Sequence, residues 1–125
     1  MDSTARLLRQ VHPTWVQNGR VTSQAFRPTP KDENMLSVYD GDLIAAQESW
    51  THFTVEQRLQ SVGVLAVTVG ECTAMELPVQ ADPATFAEHA LIDFRNLGGN
   101  VIKKKGDTLA GQARARGWLY QAPTG

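Results

Sequence analysis

Cysteine is almost missing from this chain: Cys72 stands alone among 125 residues. A lone thiol closes no internal disulfide, which fits a reducing compartment. It also rules out a thiolate zinc site, which needs several Cys or His ligands at short spacing. Long apolar runs are missing too, and none reaches the roughly 18 residues of a membrane helix. The opening Met1-Asp2-Ser3-Thr4 has an acid where a secretory signal carries bases. A soluble cytoplasmic protein is expected, with no membrane partner. Neither sign of charge dominates, with 12 Lys and Arg against 13 Asp and Glu. Internal repeats are absent. The length suits one domain that buries a core without staples.

The charge is unevenly spread. Residues 1–94 carry 6 bases and 12 acids, whereas residues 95–125 carry 6 bases and the single acid Asp107. A basic end of this kind binds an external anion or packs across the acidic body of its own fold.

Periodicity points to alternating strands and helices. Ala5 to Val11 is a short strand or helical turn, stopped at His12-Pro13 because proline holds its predecessor extended. Asn18-Gly19 is a hairpin turn signal, setting Trp15-Val16 against Val21 to Phe26. Pro28 to Asn34 is a polar loop and Met35 to Tyr39 a strand. Either aspartate of Asp40-Gly41-Asp42 can cap a helix over Leu43 to His52. Thr54 and Gln57 have capping-box spacing for a second short helix.

Val62 to Val69 is the strongest strand, apolar throughout and expected to be buried on both faces. Met75 to Val79 reads as an edge strand because of Pro78. Glu88 to Phe94 alternates, with His89, Leu91 and Asp93 on one face. A last helix is expected from Asp107 or Thr108 to Arg116, closed by Gly117. Ala122 to Gly125 remains as a short tail. The fold class is therefore α+β: one domain over residues 1–125, with a mixed or mostly antiparallel sheet of about four or five strands and helices on one face.

An ordered set of short segments stands out: Leu8-Arg9-x-x-His12-Pro13, Gly19-Arg20-Val21-x-Ser23-x-Ala25-Phe26, Leu36-Ser37-Val38, and Asp82-Pro83 followed by His89-Ala90. This set resembles a widespread group of small uncharacterised bacterial proteins, over about Leu7 to Ala113. The resemblance implies an accessory role in a toxin–immunity or defence locus, and no particular chemistry.

Candidate chemistry centres on His89, which shares a strand face with Asp93. An imidazole beside a carboxylate can be a general base and its orienter, or a half-buried histidine bonded to backbone. Ser23 and Ser37 lie in strand-like segments and are nucleophiles only if a base reaches them; neither sits in a G-x-S-x-G elbow. Small hydroxyls also fill tight sheet positions. A small enzyme or nucleotide-binding protein would need His12, Arg20, Ser23 and His89 to meet at one sheet end.

The order Arg9, Thr22-Ser23, Glu48 is similar to that of ADP-ribosyltransferases, though compressed, and Gln47-Glu48 lacks their paired acids. As ordinary residues, Arg9 is a surface partner of an acid and Glu48 a solvated helix residue. Lys103, Lys104 and Lys105 precede the expected helix start. There they could bind phosphate or a nucleic-acid backbone, through Lys103 to Arg116, or form a solvated run. Trp15, Trp50 and Trp118 are core or interface anchors. Asp40-Gly41-Asp42 has too few oxygen ligands for calcium. No metal or cofactor is expected. With no catalytic set at familiar spacing, the sequence favours a non-enzymatic module that binds another protein.

Overall fold

The computed structural model describes residues 1–123, so Thr124 and Gly125 of the tail lie outside the described residues. The described residues form eight strands and three α-helices. They are β1 (Arg6–Gln10), β2 (Val16–Gln17), β3 (Arg20–Val21), β4 (Met35–Asp40), α1 (Ala46–Thr51), β5 (Gly63–Thr68), α2 (Val69–Ala74), β6 (Val79–Ala81), β7 (His89–Asp93), α3 (Gly99–Arg116) and β8 (Tyr120–Gln121). Six strands form one sheet in the order β6-β7-β4-β1-β5-β8, and every pairing is antiparallel. The α+β expectation holds in outline, with more strands than expected.

Helices cover both faces of the sheet, where one was expected. Strand alternation produces this, because successive side chains point to opposite faces. Leu7, Leu36, Val38, Leu65, Val67 and Ile92 form one core, with Phe26, Phe94 and Leu109. Leu8, Tyr39, Val64 and Ala66 form a smaller one on the other side, with Trp50, Phe53 and Phe86 against it. The valine-rich β5 is buried from Gly63 to Val67, flanked by β1 and the short β8. It is an inner strand, but the middle of the sheet belongs to β4 and β1.

The hairpin turn forms as expected between β2 and β3, with Asn18 and Gly19 both at positive φ. The return arm is short, however. Ser23–Phe26 is a 3-10 turn, so Ser23 is not on a strand. No aspartate caps α1. Its N-cap is Ala45, and Asp40 instead accepts from the amide of Asp42. The second short helix does not start at Thr54. Instead α1 runs into a π-helical turn, His52–Glu56, and the Thr54 hydroxyl donates back to the Trp50 carbonyl. Thr68 and Glu71 form a capping box that starts α2 directly after β5. The edge strand near Pro78 lies at Val79–Ala81.

The last helix begins at Gly99, well before Asp107. Gly106 disguises it. A glycine inside a helix costs about 1 kcal/mol against alanine and reads as a boundary. Here a Cβ on Gly106 would lie 2.9 Å from the Phe26 carbonyl oxygen, so the glycine lets the helix press against the 3-10 turn. Lys103, Lys104 and Lys105 are thus inside α3 and not ahead of its start. The helix ends at Gly117, with φ of 87°, as expected.

Candidate functional site

β4 and β7 pair with Tyr39 opposite His89 and Ser37 opposite Leu91. Ser37 and His89 are therefore diagonal neighbours on one face, within reach of each other. The Ser37 hydroxyl donates to His89 Nε2 at 2.5 Å, and His89 Nδ1 donates to Asp82 Oδ2 at 2.8 Å. The carboxylate at Nδ1 fixes the tautomer and leaves Nε2 as the acceptor. Ser37 is exposed while His89 is buried.

The loop between β6 and β7 sets this geometry. The Asp82 amide donates to the His89 carbonyl, the Thr85 amide to the Asp82 carbonyl, and the His89 amide to the Phe86 carbonyl. The Thr85 hydroxyl donates to the same Asp82 oxygen at 2.6 Å. Bonds from Thr85 and then His89 hold the Asp82 carboxyl below its ordinary range. The Phe86 ring lies 4.9 Å from the His89 ring, and 4.7 Å from that of His52. The His52 Nδ1 in turn accepts from the Tyr39 hydroxyl at 2.7 Å. Burial, then the charges of Glu88 and Glu56, raise the Tyr39 phenol above its usual range.

Beside Ser37 the sheet opens. The β1–β4 ladder pairs Leu7 with Asp40 and Leu8 with Tyr39, and goes no further. At the gap the Arg9 guanidinium donates to the Ser37 carbonyl and the Ala25 carbonyl, each at 2.8 Å. It also lies 5.1 Å from the Trp15 ring centroid. Burial draws Arg9 down to about 10, against the pull of Asp32, so it remains a cation at neutral pH. It forms no ion pair among the described residues. Arg9 is therefore an inserted cation, not a surface partner of an acid.

Two cavities meet at Ser37 and Arg9. One, of about 260 Å³, has an apolar wall of Leu8, Phe53, Leu59 and Phe86 and carries His89 and Tyr39. The π-helical turn brings Phe53 to it, a common use of such turns. The other, of about 540 Å³, has Trp15, Arg27 and Lys31 in its wall.

The remaining candidates are dispersed. Asp93 is on the face of His89 but is held by Arg95 through both carboxylate oxygens. Its carboxyl is kept low chiefly by that bond. His12 caps the 3-10 turn Pro13–Trp15 by accepting from the Thr14 amide. Arg20 and Ser23 line a different hollow, with Arg114. Glu48 lines a third, with His52 and Glu56, so Arg9, Ser23 and Glu48 share no cavity.

Half of the basic end turns inward, while Arg95 and Lys103 pair with neighbouring acids at the surface. Lys103 pairs with Asp107, Lys105 donates to the Met75 carbonyl, Arg114 to the Val21 carbonyl, and Arg116 to Ala66 and Glu71. Lys104 is exposed. Cys72 is buried, and burial lifts its thiol to about 12, so it is no nucleophile at neutral pH.

Sequence reasoning reached Ser37 and His89 separately and missed Asp82 as the partner. Residues two apart on a strand point the same way without touching, whereas a tight turn folds a residue seven positions back onto the ring. The Asp-Pro-x-Thr turn just before the strand was the available signal. Leu36-Ser37-Val38, Asp82-Pro83 and His89-Ala90, singled out above, hold all three groups.

Among the described residues no cluster of His, Cys, Asp or Glu could hold a metal ion, and no helix is long and apolar enough to cross a membrane. No protein-family model, curated protein or solved structure matches the chain.

Proposed function

We propose that this chain is a small serine-dependent hydrolase or acyl-transfer enzyme. The observation that carries this reading is the relay from Ser37 through His89 to Asp82, opening on a cavity with an apolar wall. The parts match the roles of a nucleophile, a base and an orienter. Ser37 Oγ attacks a substrate carbonyl and its proton passes to His89 Nε2. Asp82 steadies the imidazolium. The bond from the carbonyl carbon to the leaving group breaks, and the leaving atom takes the proton from His89. Water, deprotonated by His89, then releases the acyl group and restores Ser37.

Arg9, on the other face of the sheet, holds the Ser37 carbonyl and so fixes the backbone that carries the nucleophile. A strand gap exposes the serine here, where other folds use a sharp turn. The expected accessory protein-binding role rests on the resemblance and has no comparable group of side chains behind it.

The test is covalent labelling with a fluorophosphonate, read by intact mass and peptide mapping. One adduct on Ser37 is expected, absent from Ser37→Ala and His89→Ala. Asp82→Asn is expected to label at least about a hundredfold more slowly. Circular dichroism checks that the variants are folded. A folded wild type that takes no label at millimolar probe overturns the proposal and returns the relay to a structural role.

A further inference from the structure

The polar side chains around the smaller cavity are nearly all bonded within the fold. His89 has Ser37 on one ring nitrogen and Asp82 on the other. The Tyr39 hydroxyl is taken by His52, and the Thr85 hydroxyl by Asp82. Gln10 is buried, its amide nitrogen donating to Ser49 and its amide oxygen accepting from Ser61. The Arg9 guanidinium is spent on two carbonyls. Among the described residues this leaves Ser37 itself and the exposed Gln57. The wall includes no acid and no lysine among those residues. Its Leu59 is 49 % exposed, a large aliphatic side chain facing both the cavity and water.

We infer that the substrate is a neutral ester or amide whose uncharged, apolar portion fills this cavity against Leu8, Phe53, Leu59 and Phe86. The inference names the substrate class of the acyl-transfer reading and rests on that reading for the chemistry, but not for the binding. A charged group on that portion would shed its water and find no partner in the wall. An apolar group needs none, and gains about fourfold in affinity for each methylene it buries. The volume limits the length. A dry cavity of roughly 150 Å³ takes a benzene ring. The 260 Å³ here takes a ring with a short arm, or a chain of about five to eight carbons. Ser37 is exposed, so the carbonyl stays at the open side while the apolar portion goes inward.

The test measures binding in the Ser37→Ala protein, where no chemistry intervenes. Three amides of one length are titrated by amide NMR: hexanamide, its analogue with a terminal ammonium, and its analogue with a terminal carboxylate. Hexanamide is expected to bind at about 1–10 mM, and both charged amides at least about tenfold more weakly. Leu59→Asp, added to Ser37→Ala, is expected to weaken hexanamide about tenfold or more. Val55→Asp is the control, because Val55 is 64 % exposed and outside the wall, and is expected to leave binding unchanged. No hexanamide binding below about 30 mM, charged amides that bind as well, or unchanged affinity in a folded Leu59→Asp protein overturns the inference. In the wild type, the isomers ethyl hexanoate and hexyl acetate tell whether the apolar portion is the acyl group or the leaving group. The preferred isomer is expected to exceed ethyl acetate at least about tenfold in kcat/KM, and turnover of all three esters at one rate also overturns the inference. Hexanamide binding with no ester cleaved and no fluorophosphonate label rejects the enzyme reading alone.

Discussion

Replacing Arg9 by lysine removes the fork while keeping the charge. Arg9 bonds two carbonyls on different segments, Ala25 and Ser37, and stacks on Trp15. An ammonium reaches one of these carbonyls and leaves the other without a donor. Bonds from charged donors contribute about 1.5–3 kcal/mol each, and the stack about 0.5–2 kcal/mol. A lysine is also harder to strip of water than a guanidinium. A loss of about 2–4 kcal/mol is expected, out of a total of about 5–15 kcal/mol. With a urea dependence of about 2 kcal/mol per molar, the midpoint falls by about 1–2 M. The assay is equilibrium urea unfolding followed by tryptophan fluorescence and by circular dichroism. Fluorophosphonate labelling of Ser37 is expected to slow in the same variant, because the gap that exposes the serine loses its tie. An Arg9→Lys protein within about 0.5 kcal/mol of wild type would refute the view that the guanidinium holds the seam, since this is the scatter of ordinary surface changes.

Gly63→Ala would place a Cβ 2.6 Å from the Tyr120 carbonyl oxygen and 2.8 Å from Trp118 ring carbons, so β8 must move off β5. A loss of about 1–3 kcal/mol is expected, with a shift in tryptophan emission, measured by thermal unfolding. Burial would raise the Glu71 carboxyl, but bonds from Arg116 and Thr68 outweigh it and hold it below its ordinary range. A lowered folded value means that its stabilisation is present above the unfolded carboxylate range and is lost as pH falls through the folded value. Glu71→Gln is therefore expected to cost about 1 kcal/mol at pH 7. The gap to wild type should close on acidification in chemical unfolding across pH.

Elements whose pattern arises within a few residues were readable before any coordinates. Asn18-Gly19 has both positive φ angles of its turn, and Gly117 caps α3 from outside. The apolar run of β5 needed no context either. What stayed hidden depends on distant contacts. Gly106 breaks the helical pattern locally, and only the Phe26 carbonyl pressed against it explains the choice. α2 was masked because its cap, Thr68, is also the last residue of β5. β8 has two residues and exists only because β5 offers an edge.

Half of the site was equally legible. Ser37 and His89 have alternation that puts them on one face, but only the β4–β7 register makes them neighbours. Asp82 needed the turn, and Arg9 needed the interrupted ladder. Asp93 looked like the better carboxylate until Arg95, two residues on, occupied it.

That interruption has a mechanical side. The trio β6-β7-β4 meets the trio β1-β5-β8 through the Leu7–Asp40 and Leu8–Tyr39 pairs, with Arg9 stitching the space beyond. Widening the pocket to admit a bulkier guest would thus mean unpicking the two halves of the protein from each other, which ties the size of what can be accommodated to how firmly the whole chain coheres.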